Sequence, residues 1–229
     1  MNIPQISSWN VSTKEAMKIQ KILAKEVFLK PLSREICNVA GIDVSYDRGS
    51  DQFYSAIVLL TFPGLEVIET VSAVARVSFP YIPGFLSFRE GPVVMEAFKK
   101  LKNEPHLLIF DGQGIAHPRR LGIAAHLGVI LGLPAIGCAK SRLCGNYEEP
   151  GFEKGDASPL EIKGEEVGTV LRSKRGVKPL FVSPGHLIDI KGSCEMVLAA
   201  TAKYRLPEPT RQAHLLVNRV RVEMRKKST

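Results

Sequence analysis

Val39-Ala40-Gly41-Ile42-Asp43-Val44-Ser45-Tyr46 is the stretch on which the fold turns. Its apolar and small residues predict a strand, and a single carboxylate, Asp43, sits inside the apolar run. Asp47-Arg48-Gly49-Ser50-Asp51 follows as a turn, residues 53–62 as a second strand, Pro63-Gly64 as another turn, and residues 65–79 as a third strand. Connections this short join antiparallel neighbours, so the three strands predict a meander.

Beyond residue 79 the pattern changes to alternating helix and strand. Gly91-Pro92 opens a helix to about residue 102, and Leu107-Leu108-Ile109-Phe110 is a wholly apolar run suited to a buried parallel strand. His117-Pro118 opens a helix through residue 131, and residues 135–139 form a further strand. The order β-β-β-α-β-α-β predicts an α/β fold of ribonuclease H-like architecture. It is a mixed sheet, three antiparallel strands then parallel strands, with helices on both faces.

Outward from this centre the signals are simpler. Ser12 and Glu15 form a capping box, and Ala16, Ile19, Leu23 and Val27 recur at helical spacing before Pro31, which predicts a supporting helix outside the sheet. Residues 145–164, rich in Gly, Pro and Glu, read as a loop. Residues 166–172 and 180–183 follow as strands, residues 194–204 as a helix, and Thr210 as the cap of a last helix over residues 211–224. With no repeat and no long linker, residues 1–229 read as one domain.

Composition narrows the class. Hydrophobic residues make up 45% and charged residues 24%, which excludes wholesale disorder, and no run reaches the length of a membrane span. Met1-Asn2-Ile3-Pro4-Gln5 lacks the basic head and apolar stretch of a signal peptide. Cys37, Cys138, Cys144 and Cys194 show no metal-ligand spacing and read as buried thiols. The expectation is a cytoplasmic monomer with no membrane partner. From Val170 onward thirteen Lys and Arg face four Asp and Glu, so the net charge of +8 is concentrated in the last quarter. That distribution suits a phosphate-bearing partner, with Arg172, Lys174, Arg175 and Lys178 as the expected contacts; the tail Arg225-Lys226-Lys227 fits a solvated helix end equally well.

Asp111 ends the fourth strand, at the carboxyl edge where open α/β sheets bind ligands. In the expected topology the first and fourth strands are neighbours, which sets Asp43 beside Asp111. Two adjacent carboxylates need a cation between them, either a divalent ion or the ammonium of a lysine such as Lys140. Glu90 alone reads as a carboxylate at a helix mouth, His214 as a packed or surface histidine, and Lys140 as a phosphate contact or an exposed lysine. Gly112-Gln113-Gly114 permits close backbone approach to a ligand but is no dinucleotide fingerprint. Pro80-Tyr81-Ile82-Pro83 stiffens a segment with large apolar groups, either buried on the core or a rigid wedge for base steps.

Taken together, these stretches resemble the endonuclease V family. The matching pieces are Gly41-Ile42-Asp43-Val44-Ser45-Tyr46, residues 80–91 ending in Phe88-Arg89-Glu90-Gly91, and residues 111–120 from Asp111-Gly112-Gln113-Gly114 to Pro118-Arg119-Arg120. Residues 137–143 with Ala139-Lys140-Ser141-Arg142, Val182-Ser183-Pro184-Gly185-His186 and Leu206-Pro207-Glu208-Pro209-Thr210-Arg211, leading to His214, complete the set in family order. Gln113, Cys138 and the segment after His186 match least well.

The resemblance implies a Mg²⁺-dependent DNA repair endonuclease, with Mn²⁺ able to substitute. Its substrate would be DNA carrying deoxyinosine or other deaminated bases, cut at the second phosphodiester bond 3′ to the lesion to leave 3′-hydroxyl and 5′-phosphate ends. It implies Asp43, Asp111 and Glu90 as metal ligands, with His214 and Lys140 completing the catalytic set. Pro80, Tyr81, Ile82 and Pro83 would be the DNA wedge, and Gly84, Leu86, Gly112, His117 and Leu143 the lesion-base pocket. Inosine-containing RNA is the rival substrate; a non-catalytic nucleic-acid module and a small-molecule phosphohydrolase are the rival classes.

Overall fold

The computed structural model describes residues 9–47 and 49–227, so Met1-Asn2-Ile3-Pro4-Gln5 and Arg48 of the first turn lie outside the described residues, as does the side chain of Lys227. The elements are α1 (Thr13–Leu23), β1 (Asn38–Tyr46), β2 (Gln52–Thr61), β3 (Val67–Arg76), α2 (Leu86–Phe98), β4 (Leu108–Phe110), α3 (Ile123–Leu131) and β5 (Ala135–Ala139). Then come β6 (Ala157–Ile162), β7 (Glu165–Leu171), β8 (Leu180–His186), α4 (Ile190–Ala199) and α5 (Glu208–Lys227).

Among the described residues eight strands form one sheet in the order β3-β2-β1-β4-β5-β8-β7-β6. The expected meander is present, and β1, β4 and β5 run parallel beside it. This is the ribonuclease H-like mixed sheet, extended past β5 by the antiparallel strands β8, β7 and β6. Alternation sorts the core into two layers. Ala40, Ile42, Leu108 and Phe110 face α1, α2 and α3, whereas Val39, Ile109, Ile136 and Val182 face α4 and α5.

Several boundaries depart from the expectations. α2 begins at Leu86, so Gly91-Pro92 lies inside the helix and Glu90 is not at its mouth. Proline is most at home at a helix start, and that preference misplaced the boundary. α3 begins at Ile123 rather than His117, because residues 111–122 are held in turns around Gly114 and Gly122. α1 gives way to a single 3₁₀ turn, Ala24–Glu26, well before Pro31. Within the acidic loop β6 pairs along the sheet edge, where its Pro159 is tolerated. α4 starts at Ile190 behind the cap Asp189, four residues before Cys194. Thr210 lies inside α5, its hydroxyl donating to the Pro207 carbonyl. The four cysteines are free, but only Cys138 is buried and Cys37 is exposed.

Candidate active site

Sheet register places the first two acids. Ile42 lies opposite Phe110 across parallel β1 and β4, so Asp43 and Asp111 emerge side by side on strands about 5 Å apart. The Asp111 amide donates to the Ile42 carbonyl at 3.1 Å, which pins the second acid to the first strand.

His214 arrives from the opposite layer, and Gly41 lets it. A Cβ on Gly41 would lie 2.0 Å from the carbonyl carbon of Pro209 and 2.5 Å from the Thr210 nitrogen, so the start of α5 rests directly on β1. From that contact two strand residues advance about 6.6 Å to Asp43, and four helical residues advance about 6 Å to His214. The side chains therefore meet, with His214 Nδ1 2.7 Å from Asp43 Oδ2. One turn on, Asn218 Nδ2 donates to the His214 carbonyl at 2.8 Å and faces its Nε2 at 3.2 Å. An N–H aimed at Nε2 leaves that nitrogen as the acceptor, so Nδ1–H is the donor to Asp43.

One ligand atom from each of Asp43, Asp111 and His214 falls within 4.8 Å of the others. Burial and the Asp111 charge raise the Asp43 pKa, against the pull of His214 and Lys140. Burial, then the Asp43 and Asp111 charges, push the half-buried Glu90 up to about 8. Glu90 thus feels the pair without joining the three-atom cluster. Carboxylates that resist ionisation favour a cation beside them, and their oxygens suit a hard divalent ion, with His214 oriented on Asp43. Lys140 Nζ makes an ion pair with Asp111 Oδ2, so the lysine partner weighed from the sequence is also real. Arg205 steadies Lys140 from behind, donating to its carbonyl at 3.0 Å and to that of Pro179 at 2.7 Å.

Beside Asp111 opens a cavity of about 340 Å³. Its walls include Tyr81, Ile82, Pro83, Gly84, Leu86, Gly112, His117, Lys140 and Leu143, which the sequence reading singled out; Pro80 is not among them. The 80–85 segment resolves as partly anchored: Phe79 and Phe85 are buried and Ile82 packs on the core, while Tyr81 is 67% exposed. Arg89 lies 5.8 Å from the centre of the Tyr81 ring and donates to the Phe79 carbonyl, bracing the segment from below. The first turn of α2 meets the cavity at Leu86 and Ser87 with no side-chain cap at Phe85. The Leu86 and Ser87 amides precede the first hydrogen bond of the helix, Phe88 to Phe85, and make this wall donor-rich.

Three side chains at the site had no role assigned from the sequence. Gln113 Nε2 donates to the Ser141 carbonyl at 3.0 Å and ties two walls of the cavity together. Gln20 and Arg119 reach Gly84 from α1 and from the loop before α3. Arg172, expected at the phosphate face, is instead 8% exposed and bonded to Glu149 and the carbonyls of Pro150, Gly151 and Val177. Its guanidinium closes the loop before β6, and only its neighbours Lys174, Arg175 and Lys178 face outward.

Residues 21–215 match the family model described as Endonuclease V. The chain belongs to the endonuclease V family. The Kosmotoga olearia endonuclease V is 49% identical over 96% of this chain and 97% of its own. The Streptomyces avermitilis endonuclease V structure superposes with a TM-score of 0.91 at 43% identity, covering 98% of this chain and 99% of that one. A third relative, Ciona intestinalis endonuclease V, is 26% identical, with a TM-score of 0.82 over 92% of this chain and 98% of its own. It was solved with a 24mer DNA containing an inosine followed by a ribo-adenosine. As an endonuclease V family member the chain is an endonuclease, and its acid cluster lies on the core strands of the shared fold. Among the described residues no helix is long and apolar enough to cross a membrane.

Proposed function

We propose that this chain is a Mg²⁺-dependent endonuclease that takes deoxyinosine out of a DNA duplex and hydrolyses the second phosphodiester bond on its 3′ side. The observation that carries this is a base-sized cavity sharing Asp111 with the acid cluster, so one residue belongs to both recognition and chemistry. The inosine-containing DNA bound by the Ciona relative supports the substrate.

The exposed Tyr81 ring, braced by Arg89, fills the space a flipped base leaves in the stack. The extruded base enters the cavity, where the amides at Leu86 and Ser87 suit the 6-oxo group of hypoxanthine. His117 is kept neutral, its pKa lowered to about 4 by burial and the Arg119 charge, and supports the pocket through Gly84. Asp43 and Asp111 would hold the metal, Glu90 would complete the set, and His214 would act through Asp43. The chemistry that Mg²⁺, or Mn²⁺ in its place, would supply there is a lowered pKa for a water and an offset to charge on the phosphate. The His214–Asp43 pair accepts the proton released as water adds to phosphorus, and Lys140 meets a phosphate oxygen. Breaking the bond to the 3′ oxygen leaves 3′-hydroxyl and 5′-phosphate ends. The chain is taken to act as a cytoplasmic monomer.

Inosine-containing RNA is the second reading, favoured by the ribo-adenosine that follows inosine in the Ciona complex. Nicking of matched strands bearing deoxyinosine, ribo-inosine, uracil or an abasic site, beside an undamaged control and with Mg²⁺ present, separates the two. Cutting of deoxyinosine DNA at the second bond is the expected result. Equal cutting of an undamaged control would overturn it.

A further inference from the structure

Gln20 is a fully buried amide in the middle of α1, a helix whose sequence pattern signals only amphipathic support. Its Nε2 donates to the Gly84 carbonyl at 2.9 Å and to the Leu121 carbonyl at 3.4 Å, and its Oε1 accepts from Arg119 Nε. Arg119 also donates to the Gly84 carbonyl, and its guanidinium carbon lies 4.2 Å from the centre of the Phe85 ring. His117 Nε2 is the third donor at 3.0 Å, since its Nδ1 already accepts from the Arg119 amide. Gly84 has φ +80°, and a Cβ there would meet Arg119 at 2.7 Å, so the clamp closes only over a glycine.

A carbonyl oxygen offers two lone pairs, and three donors exhaust them. Gly84 therefore lines the cavity with no acceptor to spare, beside the uncapped amides of α2. A 6-oxopurine presents an acceptor to such a wall; a 6-aminopurine presents two N–H groups that find none. We propose that Gln20 and Arg119 are positioning residues for base specificity, holding the Gly84 carbonyl away from the base so that this wall selects 6-oxo over 6-amino purines. The inference rests on the inosine reading above.

Gln20→Met and Arg119→Met keep bulk and remove the hydrogen bonds. Affinities are measured without metal for duplexes carrying inosine, adenine or an abasic site at one position, and KM and kcat are measured with Mg²⁺ on inosine. The double variant is expected to lose about tenfold in the inosine-over-adenine affinity ratio. Each single variant loses most of that, because the pair shares its bonds. Abasic-duplex binding stays within about twofold, and KM rises while kcat holds.

An unchanged ratio in both single variants, or equal losses on inosine and abasic duplexes, overturns the inference. If Gln20→Met fails to fold by circular dichroism, the half-buried Arg119→Met carries the test. A wild-type chain with no preference for inosine over adenine sinks the inosine reading itself. A wild-type preference that survives in the variants sinks only the clamp.

Discussion

Asp111 concentrates three relations in one carboxylate: it faces Asp43, pairs with Lys140 and lines the adjoining cavity. Asp111→Ala is expected to slow nicking at least about a hundredfold, because on the proposed mechanism the cation would lose a ligand. Binding to an inosine duplex should stay within a few-fold, and folding should hold or improve, since a like charge beside buried Asp43 is gone. Lys140 loses its partner but is 39% exposed, so that loss is small. A nicking assay beside a binding titration checks both halves, and near-wild-type cutting would sink the assignment. Both strand acids were legible in the sequence, because a carboxylate in an apolar run demands an explanation. Gln20 was not, because an amide on an amphipathic helix gives no sign of facing inward until the Gly84 loop lies across it.

Among elements, the seating of α5 on β1 decides whether the site exists. Gly41→Ala introduces a methyl where only 2.0 Å separates it from the Pro209 backbone, so α5 must retreat and carry His214 from Asp43. The expected stability cost is about 1–3 kcal/mol, and the rate loss is about a hundredfold, since a displacement near 1 Å ruins alignment. Urea unfolding and single-turnover nicking on one preparation compare the two, and a destabilised variant with an unchanged rate would count against this account. Periodicity revealed the meander and the apolar β4 run, and with them the Asp43–Asp111 pairing. The start of α2 was hidden, because Pro92 mid-helix imitates a helix start, and so Glu90 was read at a helix mouth. β6 was hidden by Pro159 and Glu161, which an edge strand accepts and a central one does not. Arg172 was misread because charge in a sequence is silent about burial.

Across the whole molecule, the layer of α1, α2 and α3 is held partly by a histidine that must stay neutral. His126 is 1% exposed, bonded to Ser87 Oγ at 2.8 Å and set against Trp9 and Phe88, and burial lowers its pKa to about 3. Above pH 6.5 both folded and unfolded chains leave this ring neutral and its contribution is constant. Below 6.5 the unfolded chain takes up a proton that the folded one refuses, so stability falls by about 1.4 kcal/mol per pH unit until the folded pKa is reached. By pH 5 the loss from His126 is about 2 kcal/mol. His117, at about 4, acts in the same direction. Glu90, at about 8, acts in the opposite one, because its folded form keeps a proton that the unfolded chain gives up above pH 4.5. The raised Asp43 opposes it likewise, so the wild-type profile in metal-free buffer is a partial cancellation and only a difference isolates His126. His126→Phe retains the ring packing and removes the titration. Urea unfolding at pH 7.5, 6 and 5 should show wild type losing about 2 kcal/mol more than the variant over that range. Parallel profiles would mean that His126 takes up its proton inside the folded layer, and the packing of α2 against α3 would have to be loose enough to admit the charge.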